Sequence, residues 1–354
     1  MTTTQLFEIA GRFLVQGRIA DIQPFGGGLI NDTFRVTTEG DAPDYVLQRI
    51  NNAIFKDVDL LQHNIEAVTE HIREKLEDAG EDDIDRKVLS LVGVHGSDNT
   101  YVCVGGQYWR MTVLIPDSYT HNEVTPESSY DTGKAFGRFE AMLADLPETL
   151  GETIPDFHNM ELRSRQLKEA VSADPVGRMA EPEVQEILKF LEQYDQEMCK
   201  AERLYREGVL PKRICHCDPK VNNILFDAEG KVLCVIDLDT IMPSFVFSDF
   251  GDFLRTGANT VAEDCPDIEK VDFRMDIYDA FLKGYLESAG EFLTDVEKDN
   301  LPYAAMLFPY MQAVRFFADY INGDTYYKIA YPDHNLVRTR NQVALFKSAM
   351  SKLK

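Results

Sequence analysis

The sequence predicts an α+β protein in two lobes, a small β-rich one over residues 1–115 and a larger, mainly helical one over residues 116–354. Three observations predict it. The first third alternates short apolar runs with glycine turns. The remainder repeats apolar residues at helical spacing. Inside that helical part lies one polar block, His216-Cys217-Asp218-Pro219-Lys220-Val221-Asn222-Asn223, followed by a short β island. Strands grouped ahead of helices indicate α+β rather than alternating α/β organisation. A length of 354 residues suits two lobes at about 150 residues each.

In chain order, residues 18–25 read as a strand that runs into Gly26-Gly27-Gly28. A second strand covers 30–37, and Gly40-Asp41-Ala42-Pro43 turns the chain into a third over 45–50. Ile65, Val68, Ile72 and Leu76 mark a helix face that Gly80 closes. Residues 87–94 and 101–104 read as strands. Gly105-Gly106 is a tight turn, and a strand over 107–114 ends before Pro116. Helices are expected over 128–143, 162–173 and 183–208. The β island follows, with strands over 223–226 and 232–236 about the turn Ala228-Glu229-Gly230. Helices return over 275–284 and 301–321, with Pro309 a kink in the last.

Composition narrows the function. With 44% hydrophobic and 27% charged residues, the chain is an ordinary globular protein. Its 60 acidic and 36 basic residues leave a net charge of −24, which argues against nucleic acid and against anionic membrane as partners. No apolar run approaches the roughly 20 residues of a membrane span. The start, MTTTQLFEIAGRF, has no basic stretch followed by an apolar block, so no signal peptide is expected. Six cysteines without a CxxC pair point to the reducing cytoplasm. Cys215-His216-Cys217 is a poor zinc site, because neighbours in an extended segment point to opposite faces. Nothing in the chain calls for an obligate protein partner.

The polar block has the form H-x-D-x-x-x-x-N, and Asp237 follows Asn223 by 14 residues at the end of an apolar strand. Phosphoryl transfer from ATP needs these parts at this spacing. An aspartate, Asp218, orients the attacking hydroxyl and accepts its proton. An amide and a second carboxylate, Asn223 and Asp237, hold Mg²⁺ on the phosphates. Lys220 is placed to offset charge on the transferred group. Three residues at fixed spacing recur by chance. The hairpin, the strand-end aspartate and the upstream glycines together point to a kinase-like fold.

In that context Gly26-Gly27-Gly28 reads as a nucleotide flap. In isolation it reads as a plain hairpin turn. The third strand offers Arg49 where such folds carry a phosphate lysine, and Glu66 on the next helix is its candidate partner. Surface exposure is the simpler reading of both. Asp249-Phe250-Gly251 imitates a metal-binding triplet. It lies 12 residues past Asp237, so Asp249 is expected to bond backbone around the catalytic loop.

HCDPKVNNILFD followed by VIDLDTIMPSFVFSDFGD resembles the aminoglycoside phosphotransferase and choline kinase superfamily. The phrases GGGLINDTF, YVLQRIN, RFFADYINGDTYY and YPDHNLVRTR extend the likeness almost end to end, to the bacterial N-acetylhexosamine 1-kinases. The resemblance implies transfer of the ATP γ-phosphate to the anomeric hydroxyl of GlcNAc or GalNAc, with Mg²⁺. It implies Asp218 as base, Asn223 and Asp237 as metal ligands, and Arg315 and Tyr326 at the sugar. Arg315 also stands out by itself as a charge inside an apolar stretch. A salt bridge to Asp319 is the simpler explanation. One departure is Leu29, where the family's flap carries a histidine near the sugar; it leaves the sugar's identity open. Another hexose, an aminoglycoside or an amino alcohol remains an alternative acceptor. A non-catalytic nucleotide binder is disfavoured because Asp218, Asn223 and Asp237 are all present.

Overall fold

The computed structural model describes residues 1–26, 30–121 and 123–354. Its elements begin with α1 (Thr3–Ala10), β1 (Ile19–Pro24), β2 (Asp32–Thr38), β3 (Tyr45–Ile50), α2 (Val58–Asp78), α3 (Ile84–Lys87), β4 (Tyr101–Val104) and β5 (Gln107–Val113). They continue with α4 (Pro126–Met142), α5 (Met160–Ala173), α6 (Pro182–Met198), α7 (Lys200–Arg206), β6 (Arg213–Cys215), β7 (Ile224–Phe226), β8 (Val232–Val235) and β9 (Met242–Ser244). The chain closes with α8 (Phe247–Gly257), α9 (Met275–Ala289), α10 (Asp295–Asp299), α11 (Leu301–Ile321) and α12 (His334–Leu353). Mixed α+β organisation, with strands early and helices late, is as expected. No helix of the described residues is long and apolar enough to cross a membrane.

Two compact units result. The first takes in Met1–Thr120, Asp145–Pro155 and Asn222–Met242; the second takes in the rest. The later segments join the first unit through specific bonds. Tyr119 and Phe226 exchange backbone N–H···O bonds of 3.0 and 2.9 Å, and Asn64 of α2 donates to the carbonyls of Gly151 and Ile241 at 2.8 and 2.9 Å.

The first unit is built on an antiparallel sheet of order β1-β2-β3-β5-β4. Side chains alternate between its faces. Val36, Leu47, Trp109 and Met111 bury one face against Leu6, Ile9 and Phe13 at the N-terminus. Gln48 and Arg110 are register partners on the other face. Asp57 caps α2 by accepting from Leu60 N–H at 2.9 Å, and Leu61, Ile65, Val68, Ile72 and Leu76 form its buried stripe. The expected strand over 87–94 is not formed: Lys87 ends the short helix α3, and the residues after it make only two isolated bridges, Leu91 with Thr112 and Val94 with Phe13. The reason is occupancy of the sheet edge. β4 takes β5 from Gln107 to Arg110, which leaves only the stretch about Met111–Val113 for residues 90–92.

The second unit is a helical core. α4 and α9 approach closely, because a Cβ on Gly133 would lie 2.3 Å from Phe281 O and one on Gly284 2.0 Å from Tyr130 O. The helix expected over 183–208 is broken at Cys199 into α6 and α7. α11 runs unbroken through Pro309 and is buried on all sides except at Pro302, Gln312 and Arg315. A helix buried all round shows a polar residue only where something polar must meet it.

Candidate active site

In the second unit, β6 delivers the chain into the loop that carries Asp218. Asp249, at the start of α8, accepts from the backbone N–H of His216 at 2.8 Å and of Cys217 at 2.7 Å. This is the backbone role expected of Asp249. The clamp holds an awkward conformation, because Cys217 has φ +62°, in the left-handed region that a cysteine seldom adopts. His216 Nδ1 accepts from Asp218 N–H at 3.3 Å, and its ring is met edge-on by Phe136 and Phe139. Loop backbone and imidazole together fix where Asp218 points. The Asp218 carboxylate accepts from Lys220 Nζ at 2.8 Å.

Asp218 lines a cavity of about 310 Å³ with His158, Asp252, Arg255, Gln312, Arg315 and Tyr327 among its walls. Arg255 is fully committed inside it, pairing with Asp252 at 2.7 Å and Glu263 at 2.8 Å. Burial alone would raise the Asp252 carboxyl, but the Arg255 guanidinium outweighs it and holds the group below the usual range. Arg315 is different. Its guanidinium donates to Gln312 Oε1 at 3.2 Å and faces the rings of Phe157 and Tyr327. No carboxylate lies within ion-pair distance of it among the described residues. Asp319 does not pair with it, because that carboxylate accepts from the backbone N–H groups of Thr325, Tyr326 and Tyr327 at 2.8 to 3.0 Å. Burial pushes the His158 imidazole down to about 3, so it is neutral at neutral pH. Tyr326 is 74% exposed, whereas the next residue, Tyr327, lines the cavity.

In the first unit, Asn223 leads into β7 and Asp237 follows β8. The Ile236 N–H donates to Asn223 O at 2.9 Å, which ties the end of the loop to the end of the strand. Asp237 has φ +64°, a left-handed conformation that aspartate tolerates. Both residues offer oxygen donors of the kind a hard cation takes. Two residues on, Asp239 is 5% exposed and pairs with Arg110, itself 4% exposed. Asp239 also accepts from Asn31 Nδ2 at 2.5 Å and, through its backbone carbonyl, from Thr153 at 3.0 Å. Arg110 spends its other nitrogens on Gln48 Oε1, at 3.0 and 2.8 Å.

Arg49 lies on the Trp109 face of the sheet, opposite Gln48 and Arg110. It pairs with Asp32 and donates to Gln107 at 3.3 Å. Glu66 accepts from Thr100, so the Arg49–Glu66 pair considered from the sequence is not made. Gly26 has φ +72° with open space where a Cβ would stand. Gly27, Gly28 and Leu29 lie outside the described residues. Sequence reading missed Arg110, Asn31, His158, Gln312 and Tyr327. Gln312 carried a signal, since with Arg315 it is one of few polar residues in an apolar helix.

Residues 21–299 match the model of a family described as phosphotransferase enzyme family. The chain is similar to the crystal structure of an aminoglycoside phosphotransferase from Alicyclobacillus acidocaldarius subsp. acidocaldarius DSM 446, at 15% identity and a TM-score of 0.63, over 98% of this chain and 95% of that one. It is also similar to a choline kinase from Cryptosporidium parvum Iowa II, at 13% identity and a TM-score of 0.58, over 99% and 96%. A third likeness, to a spectinomycin phosphotransferase in complex with ADP and spectinomycin, has 15% identity and a TM-score of 0.53, over 99% and 98%. These likenesses show that the fold is kinase-like.

Proposed function

The chain belongs to the phosphotransferase enzyme family, and from that premise we propose an ATP-dependent small-molecule kinase whose acceptor is the anomeric hydroxyl of an N-acetylhexosamine, GlcNAc or GalNAc. Asp218 accepts the proton of the attacking hydroxyl. Lys220, bonded to Asp218, offsets the charge of the group in transit. Asn223 and Asp237 are the residues that would hold Mg²⁺, and the donor set fits it. When bound, the ion neutralises charge on the nucleotide phosphates.

The observation that carries the acceptor reading is Arg315. A guanidinium without a carboxylate partner, in a cavity that Asp218 also lines, repels an aminoglycoside or choline. It suits a hydroxyl or an acetamido carbonyl, and Gln312 and Tyr327 add neutral hydrogen-bonding groups beside it. The test is ATP consumption against a panel of free hexoses, N-acetylhexosamines, choline and aminoglycosides. An N-acetylhexosamine should give the highest kcat/KM, and a cationic acceptor in first place contradicts the reading. Asp237→Ala and Asn223→Ala should each raise the Mg²⁺ concentration needed for half-maximal rate. If the requirement is unchanged in both, the metal ligands lie elsewhere.

A further inference from the structure

Behind the Asp218 loop, the second unit holds a cluster of side chains that the proposed reaction does not use. Glu140 of α4 is fully buried, and its carboxyl group lies beside that of Asp249 of α8. Oxygens of these two carboxyl groups and the sulfur of Cys215 all lie within 4.8 Å of one another. Glu140 Oε2 accepts from the Tyr285 hydroxyl of α9. Glu140 Oε1 is buried with no donor directed at it. Two ionised carboxylates cannot share such a site, and an acceptor oxygen left without a donor there is costly. One proton on Oε1 removes both problems.

We propose that Glu140 is a positioning residue: it carries a proton on Oε1 and donates it to Asp249, so that Asp249 remains an acceptor for the two backbone N–H groups that set Asp218. The inference rests on the kinase reading for its activity arm only. Burial first, then the neighbouring Asp249 charge, pushes the Glu140 carboxyl well above its usual range. Asp249 is also raised by burial, but the His216 imidazole and the two N–H bonds pull it back. Geometry assigns the proton to Glu140, because Asp249 already accepts two backbone N–H bonds whereas no donor is directed at Glu140 Oε1. The groups facing the pair are Tyr285 from α9, Cys215 from β6, His216 and Cys217 from the loop, and Glu297 from α10, which pairs with Arg213. The thiols of Cys215 and Cys217 are pushed up by burial and stay neutral. A metal ion held by Glu140, Cys215 and Asp249 is the competing reading.

The discriminating variant is Glu140→Gln. Its amide donates to Asp249 and accepts from Tyr285, with the same polarity as the protonated acid. It should keep kcat within about threefold, whereas Glu140→Ala should lower kcat on the order of 10²-fold with both KM values nearly unchanged, because the defect is in the aim of Asp218. Infrared difference spectra between wild type and Glu140→Gln should show the carbonyl stretch of a protonated carboxylic acid in the wild type only, whatever the acceptor is. Because the folded pKa of Glu140 is raised, its share of stability is present at low pH and lost as pH rises through that value. Wild-type Tm should therefore fall on the alkaline side more steeply than that of Glu140→Gln. The proposal is overturned if Glu140→Gln is as impaired as Glu140→Ala, if no such band is lost, or if the purified enzyme holds one equivalent of metal that Glu140→Gln releases.

Discussion

Asp239 and Asp249 are both buried carboxylates serving a proposed catalytic segment, yet the two units satisfy them by different means. In the first unit Asp239 meets a full charge, the Arg110 guanidinium, and an amide from Asn31. In the second unit Asp249 meets two backbone N–H groups and a neighbouring carboxyl group, with no Arg or Lys paired to it among the described residues. A cation stabilises whichever conformation brings it near, but two N–H bonds specify the path of the backbone itself. The lesson is one of precision. The first arrangement holds a segment in place, and the second sets the conformation of the residue before Asp218, which is strained.

Four substitutions probe the two arrangements. The largest effect belongs to the residue that the clamp serves. Asp218→Asn should lower kcat by about 10²–10⁴-fold while ATP still binds, as measured by steady-state rates and nucleotide titration. A kcat within threefold of wild type removes Asp218 from the role of base. Next comes Arg110→Met, which leaves Asp239 buried without its cation. Breaking a buried pair from one side typically destabilises by about 3–5 kcal/mol, readable as a shift in the denaturant midpoint. A loss under about 1 kcal/mol would mean that water reaches Asp239.

Asp249→Asn should be milder, on the order of 1–3 kcal/mol, because one of two N–H groups loses its acceptor while no charge is stranded. It should lower kcat and leave the Mg²⁺ requirement alone. A large change in that requirement would make Asp249 a metal ligand and erase the contrast with Asp237. The smallest effect is expected from Arg315→Ala, which should raise the acceptor KM by the equivalent of about 1–3 kcal/mol and leave the ATP KM nearly unchanged. A defect confined to ATP would place Arg315 on the other substrate.

How much of this was legible in the sequence depends on how local each signal is. β3 was read to the residue, since the run Tyr45–Ile50 is bounded by the turn Gly40-Asp41-Ala42-Pro43 on one side and by Asn51-Asn52 on the other. The block from His216 to Asn223 was legible because its spacing is set within one loop. Arg315 was legible because it breaks an apolar helix. Arg110 was not, because its meaning depends on register with Gln48 and on Asp239, which lies 129 residues further along the chain. Glu140 was not, since a glutamate in a helix usually faces water, and only the packing of α4, α8 and α9 removes it from solvent. The strand expected over 87–94 failed on a similar non-local point, because the sheet edge it needed was already filled by β4.

The proposed reaction is phosphoryl transfer to the anomeric hydroxyl of a neutral N-acetylhexosamine. The most direct measurement is phosphorus and proton NMR of the product formed from ATP, Mg²⁺ and GlcNAc or GalNAc. A single phosphomonoester whose phosphorus couples to the anomeric proton is expected. Phosphate on any other carbon, or no sugar product under conditions where choline or an aminoglycoside is phosphorylated, would contradict it.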